Sequence, residues 1–435
     1  MKRSLLIKPM MDENYPIAVR GEGIYLYDVD GKKYLDGSSG AVTASLGHGV
    51  PEILDAVYEQ SKHVSFVYRS QFTTMPAEKL AQKLNKCIHS KEDYWSFFVN
   101  SGSEATETAM KIAIQHFQEQ GKPQKNKILS RWVSYHGITI GALSMSGHVK
   151  RRERFVPLLE EYPSVSAPHC YQCPLDKIFP DCQLACASEL ETAITRIGAQ
   201  HIAAFIAEPI VGAAGGIIIP PDGYYQQIKK ICDHYNILFI TDEVMTGLGR
   251  TGKMFALDHW SISSDIITIG KGLSAGYTPI AAALASDKVM EPILQGSRSI
   301  MSGHTFSANP QSAAIALAVL NYIEKGNLVE EVARKGDILL QKLYVLAKKF
   351  SLIGNIRGKG LLIGVEFISK SSGVLTQKIV NSAREKGLLL YPASAGREGV
   401  EGDAIIISPP FTISEKEINL LVELFSETLH EVQGD

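Results

Sequence analysis

Residues 237–244 have the sequence ILFITDEV, an apolar run that ends in two carboxylates. Short apolar runs of this kind suit strands that are buried on both faces of a sheet. Five more lie between residues 94 and 286: YWSFFVN, KILSRW, IAAFIAEP, DIITIG and PIAAALAS. Helical patterns separate several of them, for example SEATETAMKIAIQHFQEQ and DGYYQQIKKICDHYN. This alternation predicts an α/β domain with a mainly parallel sheet.

The remaining chain divides into smaller parts. The stretch GIYLYDVDGKKYLDGSSG predicts a β-hairpin around Asp30-Gly31. Two long helices are predicted over about 309–350, followed by a smaller α+β piece that closes with a helix from Ser414. Residues 147–187, rich in proline and cysteine, are predicted to be irregular. We therefore expect domain limits at 1–60, 61–320 and 321–435, with 147–187 as an insertion in the second part.

Composition excludes several classes of protein. The chain has 435 residues, 44 Lys and Arg and 46 Asp and Glu, so its formal net charge is −2 and no global field attracts it to nucleic acid or anionic membranes. The apolar run at the start, Leu5 to Ile7, is too short for a signal peptide. Longer apolar stretches are interrupted by Glu208 and prolines, so no membrane span is expected. We expect a cytoplasmic protein with reduced cysteines.

Two charged residues follow neighbouring strands of the predicted sheet. In open α/β sheets ligands bind beyond the carboxyl ends of the strands, where Asp242 is expected. A carboxylate that caps the next turn is the ordinary alternative. Lys271, in TIGKGLSAG, lies 29 residues further on, a distance that fits strand, connection and strand. The two side chains can therefore lie side by side.

A third signal is an anion site at a helix start. Ser101-Gly102-Ser103 follows a predicted strand and opens a helix, whose free N–H groups and dipole favour a phosphate. An ordinary helix cap has the same sequence. SYHG at 134–137 adds Tyr135 and His136 at the end of another strand, where core packing explains the tyrosine equally well.

Two other motifs are weaker. GLGRTGKM fits a phosphate-binding loop until Met254, which stands where that loop requires Ser or Thr. GLSAG at 272–276 fits the nucleophile elbow of serine hydrolases, but Pro279 follows where the elbow requires a helix.

Four cysteines are grouped in CYQCPLDKIFPDCQLAC. Four thiolates at these spacings can surround one structural zinc ion. Free thiols and disulfides are the alternatives, and the sequence leaves the choice open. The cysteines are Cys170, Cys173, Cys182 and Cys186.

Taken together, these residues resemble the class III aminotransferases that depend on pyridoxal 5′-phosphate (PLP), the ω-aminotransferase group of fold type I. The resemblance extends over nearly the whole chain and rests on motifs in the correct order: YLYDVDGKKYLDGSSG, LGHG, NSGSEATETAMKIA, SYHG, AEPIVGAAGG, TDEVMTGLGRTGKMFA, IGKGLSAGYTPIAA, GHTFSANP, IRGKGLLIGVEF and PPFTIS. It implies a large domain with a mainly parallel seven-stranded sheet and a smaller α+β domain built from both termini.

The resemblance also implies a role for each site residue. Lys271 would form the Schiff base with PLP, and Asp242 would pair with the pyridine nitrogen. The other cofactor contacts would be Gly102 and Ser103 to the phosphate, Tyr135 and Val244 on the ring, and His136 and Glu208 near it. Thr305 would reach the phosphate of a neighbouring subunit, so a homodimer is expected.

The implied reaction is transamination from a terminal or non-α amine, or an ω-amino acid, to a keto acid such as pyruvate. Ile406 and Ile407 stand where some members carry a carboxylate-binding arginine. Arg397 is a candidate substitute, and an ordinary solvated loop arginine is the alternative. The same residues would also serve a PLP-dependent racemase, decarboxylase or amine-phosphate lyase. A non-enzymatic PLP-binding regulator would need a DNA-binding module, for which the sequence offers no basic segment. A serine hydrolase acting through GLSAG is a remote alternative.

Overall fold

The fold is described from a computed structural model that covers residues 5–11, 13–369 and 371–434. The chain begins with a small antiparallel unit of β1 (Ala18–Glu22), β2 (Tyr25–Asp28) and β3 (Lys33–Asp36). The predicted hairpin is confirmed. Its turn is held by the Asp28 carboxylate, which accepts hydrogen bonds from the backbone N–H groups of Asp30 and Lys32. Three helices follow: α1 (Ser39–Val42), α2 (Pro51–Ser61) and α3 (Met75–Cys87).

A seven-stranded sheet forms the centre of the molecule, in the order β4-β10-β9-β8-β7-β5-β6. Strand β10 is antiparallel to β4 and β9, and the other neighbours are parallel, which confirms the mainly parallel sheet. Its strands are β4 (Tyr94–Val99), β5 (Lys127–Arg131), β6 (Pro163–Val165), β7 (Ile202–Ala207), β8 (Leu238–Asp242), β9 (Ile266–Ile269) and β10 (Ala281–Ser286).

Helices cover both faces of this sheet. On β8, Phe239 packs into one hydrophobic cluster and Ile240 into another, so consecutive side chains enter opposite cores. This burial explains why the strands are continuous apolar runs. The helices of this region are α4 (Gly102–Glu119), α5 (Ile140–Met145), α6 (Val149–Arg152), α7 (Ala185–Ile197), α8 (Tyr224–His234) and α9 (Asp287–Gln295).

The prediction that 147–187 is irregular is wrong in part. This segment contains α6 and β6, and α7 begins within it at Ala185. Strand β6 pairs with only a short part of β5, at the edge of the sheet. Such short elements owe their position to tertiary contacts, because three or four residues carry no usable periodicity.

The C-terminal region forms a third sheet, in the order β11-β12-β15-β14. Strand β13 leaves this region and pairs in parallel with β3, so segments from both ends of the chain share one sheet. The domain limits at residues 60 and 320 stay a prediction. The elements are α10 (Pro310–Lys325), α11 (Leu328–Ala347), β11 (Ile353–Lys359), β12 (Leu362–Phe367), α12 (Val374–Glu385), β13 (Leu388–Leu389), β14 (Tyr391–Ala395), β15 (Gly402–Ile407) and α13 (Glu415–Gly434).

The topology determines where polar side chains meet. Strands β4 and β9 are both antiparallel to β10 and therefore run in the same direction, as do β8, β7 and β5. The loops after these strands consequently lie along one edge of the sheet. None of the helices within the described ranges has the length and hydropathy needed to span a bilayer.

Candidate active site

A cavity of about 180 Å³ lies at the carboxyl edge of the central sheet. Loops after five different strands contribute to its wall. Its lining residues are Gly102, Ser103, Tyr135, His136, Gly137, Glu208, Ala213, Asp242, Val244, Met245 and Lys271. Eight residues predicted from the sequence are thereby brought together.

Lys271 begins a single 3₁₀ turn directly after β9. Its φ angle is +38°, a left-handed conformation that is strained for a residue with a side chain and is tolerated mainly at functional sites. Burial lowers the pKa of the Lys271 amine to about 8, while the carboxylates of Asp242 and Glu208 oppose this shift. A fraction of the amine is therefore uncharged and nucleophilic near neutral pH, and this fraction rises as the pH approaches 8.

Asp242 is the last residue of β8, and its carboxylate contacts a backbone N–H, a hydroxyl and an imidazole nitrogen. Oδ1 accepts hydrogen bonds from the Val244 backbone N–H and from Thr268 Oγ1, each at 3.1 Å. Oδ2 lies 2.8 Å from Nδ1 of the buried His136. These contacts keep a carboxylate in one orientation at the floor of the cavity.

Glu208 follows β7 and is also buried. Its Oε2 accepts from the backbone N–H of Tyr135 and its Oε1 from that of Gly212, both at 3.0 Å. Burial raises the pKa of this carboxyl, and the nearby negative charge of Asp242 acts in the same direction. Glu208 thus ties the loop that carries Tyr135 to the loop after β7.

The N-terminus of α4 supplies an anion site. Ser101 caps the helix by accepting from the Glu104 N–H at 3.3 Å, and the first N–H groups of a helix have no partner within it. Gly102 is required by close packing, since a Cβ there would lie 2.9 Å from Cγ1 of Val244. The Ser103 hydroxyl accepts from the Ile138 N–H at 3.0 Å and so joins α4 to the loop after Tyr135.

Two predicted site residues lie outside this cavity lining. Thr305 is exposed to solvent in the loop before α10. Arg397 lies in the loop after β14, where its guanidinium forms a bidentate ion pair with Asp176, with Nη1 to Oδ2 at 2.8 Å. In this conformation the Arg397 guanidinium is paired with Asp176 and is not placed to bind a substrate carboxylate.

The cysteine group gives the zinc prediction no support. All four thiols line one small cavity, yet no group of His, Cys, Asp or Glu side chains across the described ranges is arranged to hold a metal. Burial, followed by the effect of the neighbouring cysteines, raises the pKa of Cys186 to about 12. The Cys186 thiol is therefore protonated in the metal-free protein.

The serine hydrolase alternative also fails. Ser274 is buried, and its hydroxyl donates to the carbonyl oxygen of Thr278. The residue that would act as nucleophile is therefore occupied by a backbone acceptor instead of a histidine base.

Sequence reasoning missed Gly137, Ala213 and Met245 as parts of the cavity wall. Each lies in a motif that also contains a predicted site residue: SYHG, AEPIVGAAGG or TDEVMTG. Nearness in sequence to those residues was the one indication that they line the cavity. Their own side chains carry no chemistry that would single them out.

Comparison with known proteins identifies the family. The family model for class III aminotransferases matches residues 8–429. The chain belongs to the class III aminotransferases. It is 53% identical to the "Uncharacterized aminotransferase YodT" of Bacillus subtilis, over 99% of this chain and 98% of that protein. It is 35% identical to a taurine–pyruvate aminotransferase of Bilophila wadsworthia, over 93% of this chain and 90% of that one.

Solved structures agree with this membership. An (S)-enantioselective ω-transaminase from Thermomicrobium roseum superposes with a TM-score of 0.91 at 34% identity, over 99% of this chain and 96% of the other. An amine transaminase from an uncultivated Pseudomonas species gives 0.92 at 31% identity, over 99% of both chains. The fold is therefore that of the fold type I PLP-dependent transaminases, and the chain is an enzyme of that class.

The cavity fits the cofactor expected for this family. It offers a helix N-terminus for a phosphate, a fixed carboxylate for a ring nitrogen, an aromatic ring for stacking and an amine of lowered pKa for an aldehyde. In addition, Nε2 of the buried His136 has no hydrogen-bond partner in the part of the chain that is described. These features together match PLP.

Proposed function

We propose that this aminotransferase moves an amino group from a terminal or non-α amine, or an ω-amino acid, to a keto acid such as pyruvate. The convergence of Lys271, Asp242 and the N-terminus of α4 on one cavity carries the proposal. The similarity to a taurine–pyruvate aminotransferase supports the type of donor and acceptor.

Each residue has a task in this reaction. PLP, when bound, supplies an aldehyde and a ring that accepts electron density from the substrate carbon. The Lys271 amine would bind the cofactor covalently, be displaced by the donor amine and then move a proton at the reacting carbon. The Asp242 carboxylate would keep the ring nitrogen protonated by its charge, since His136, Thr268 and Val244 hold it in place.

Backbone N–H groups of Gly102 and Ser103 would hold the phosphate, and the Tyr135 ring would stack on the cofactor ring. Val244 would press on the opposite face, because it packs close to Gly102 and Gly270 beside Lys271. Glu208 and His136 would border the cofactor from the loops after β7 and β5.

We further propose that the active unit is a homodimer to which Thr305 contributes across the interface. Exposed apolar side chains lie on two segments, 64–75 and 301–306, and the rings of Phe66 and Phe306, one from each, lie 5.8 Å apart. The segments are joined where Asn309 Nδ2 donates to the Ser65 carbonyl at 3.2 Å. Exposed apolar surface of this kind marks an interaction site. The exposed apolar side chains of the two segments are Val64, Phe66, Tyr68, Phe72, Met75, Met301 and Phe306.

A mixing experiment tests the shared site. If Thr305→Val lowers turnover, hybrids of Lys271→Ala and Thr305→Val subunits should regain activity, because one site of each hybrid has both wild-type residues. Sedimentation velocity should give twice the chain mass. A monomer, or hybrids with no more activity than either parent, would contradict the dimer proposal.

The reaction is tested by a screen of amine donors against pyruvate, with alanine formation as the readout. Alanine formed in proportion to loss of the donor amine supports transamination. Racemised, decarboxylated or phosphate-eliminated product without alanine would assign the same site to another PLP reaction.

A further inference from the structure

Helix α6 carries three consecutive basic residues with different surroundings. Arg152 is buried, and its Nη1 donates to the carbonyls of Leu143, Ser144 and Ser146 at 2.8–2.9 Å. Lys150 Nζ donates to the Ser372 carbonyl at 2.8 Å. Arg151 is exposed, and its guanidinium has no ion pair or hydrogen bond with any residue that the structure describes.

Arg151 instead forms a cation–π contact with an aromatic residue of the active site. Its guanidinium carbon lies 4.7 Å from the centroid of the Tyr135 ring, and that ring lines the cavity with Lys271. A contact with the face of an aromatic ring does not use the N–H donors of a guanidinium as an ion pair does, so they stay available for an anion. The guanidinium is thus held beside Tyr135 and forms no ion pair with an acidic residue in the described part of the chain.

The electrostatic effect of Arg151 reaches the reacting residues. Burial is the main cause of the lowered pKa of Lys271, and the carboxylates of Asp242 and Glu208 oppose it. The positive charge of Arg151 is a smaller cause that lowers this pKa further. Burial raises the pKa of Tyr135, and Arg151 opposes that shift more than any other charge does. Arg151 therefore acts electrostatically on Lys271 and also contacts Tyr135 in the cavity wall.

Arg397 is less available for the same task. Its bidentate pair with Asp176 would have to break before a substrate carboxylate could replace Asp176. Among the residues that the structure describes, no carboxylate competes in this way for Arg151.

We infer that Arg151 binds the anionic end, a carboxylate or sulfonate, of an ω-amino acid donor and so selects such donors over plain alkylamines. This inference rests on the proposed transaminase function and adds the residue that recognises the far end of the substrate. Planar, bidentate recognition of an oxyanion is the property in which arginine exceeds lysine.

The test is a single-turnover comparison without keto acid, so that no acceptor carboxylate competes. The holoenzyme reacts with β-alanine, 4-aminobutyrate, taurine, propylamine and butylamine, and its absorbance change gives kcat/KM. Arg151→Gln should lower the preference for the acids over the matched alkylamines about 10- to 100-fold. Lys150→Gln removes the same charge from the same helix and should leave the preference unchanged, while Arg151→Lys should restore part of it.

A second measurement does not depend on turnover. Pentanoate resembles 4-aminobutyrate with a methyl group in place of the amine, and pentanamide is its uncharged counterpart. In calorimetric titrations, the wild type should bind pentanoate more tightly than pentanamide, and Arg151→Gln should abolish the difference. In the kinetic comparison, the inference would be overturned if Arg151→Gln kept the wild-type preference for acids. It would also be overturned if the substitution lowered kcat/KM equally for acids and alkylamines. If no amine reacts with the wild type, the proposed function fails, and the pentanoate titration still decides the role of Arg151.

Discussion

Nδ1 of His136 lies 2.8 Å from Oδ2 of Asp242, and both side chains are buried. The two residues are 106 positions apart; Asp242 ends β8, and His136 lies in the loop after β5. The Val244 N–H and the Thr268 hydroxyl both donate to Oδ1, so these contacts together fix one orientation of the Asp242 carboxylate. A carboxylate held in this way is suited to bind a protonated ring nitrogen, and that is the basis of the first prediction.

Asp242→Asn should leave the fold intact and slow turnover at least about 100-fold, because an amide cannot keep the ring nitrogen protonated by charge. Stopped-flow absorbance during the donor half-reaction measures the effect. Thermal unfolding of the variant shows whether the change in the contact with His136 lowers stability and so provides the control. Near-normal rates at full cofactor occupancy would rule out the role.

Lys271→Ala should still bind PLP, since the helix N-terminus and Asp242 are unchanged, but should lose turnover by about 10⁴-fold or more. Gel filtration followed by absorbance of the protein peak measures retained cofactor. Lys253→Ala, at an exposed lysine in the neighbouring GLGRTGKM motif, is the matched control. Comparable activity of the two variants would contradict a catalytic role for Lys271.

The rate at which cofactor-free protein takes up PLP should depend on pH, with a midpoint near the lowered pKa of Lys271. The amine is protonated and unreactive below that pKa, so the rate should rise with pH and level off above about 8. A lysine with an ordinary pKa would give a rate that still rises near pH 10. Stopped-flow absorbance across the pH range distinguishes the two, and continued acceleration above pH 9 would refute the lowered value.

Gly102→Ala should weaken PLP binding about tenfold, because the new Cβ would lie 2.9 Å from Val244 Cγ1 and displace that side chain from the cavity wall. Gly272→Ala is the matched control next to Lys271, since its Cβ would meet only ordinary contacts at 3.8 Å. Equilibrium titration of the cofactor-free variants with PLP measures both. Equal affinities would show that the close packing at Gly102 is unimportant for the cofactor.

Much of this site follows from local sequence. The central strands are recognisable because burial on both faces requires continuous apolar runs, and the residues after them share one edge of the sheet for topological reasons. Arg397 was a candidate from the family resemblance, but its pairing with Asp176 depends on how two distant loops meet. The pairing of strand β6, the contact of Arg151 with Tyr135 and the surroundings of the cysteines also depend on tertiary contacts, for which short aperiodic segments give no signal.

The identity of the covalent attachment residue is the central claim, and borohydride reduction tests it most directly. Holoenzyme treated with borohydride should carry the reduced cofactor permanently, and peptide mapping by mass spectrometry should place the added mass on Lys271. The label should be absent from Lys271→Ala treated in the same way. A label on another lysine of the wild type, or none on any lysine, would contradict the account.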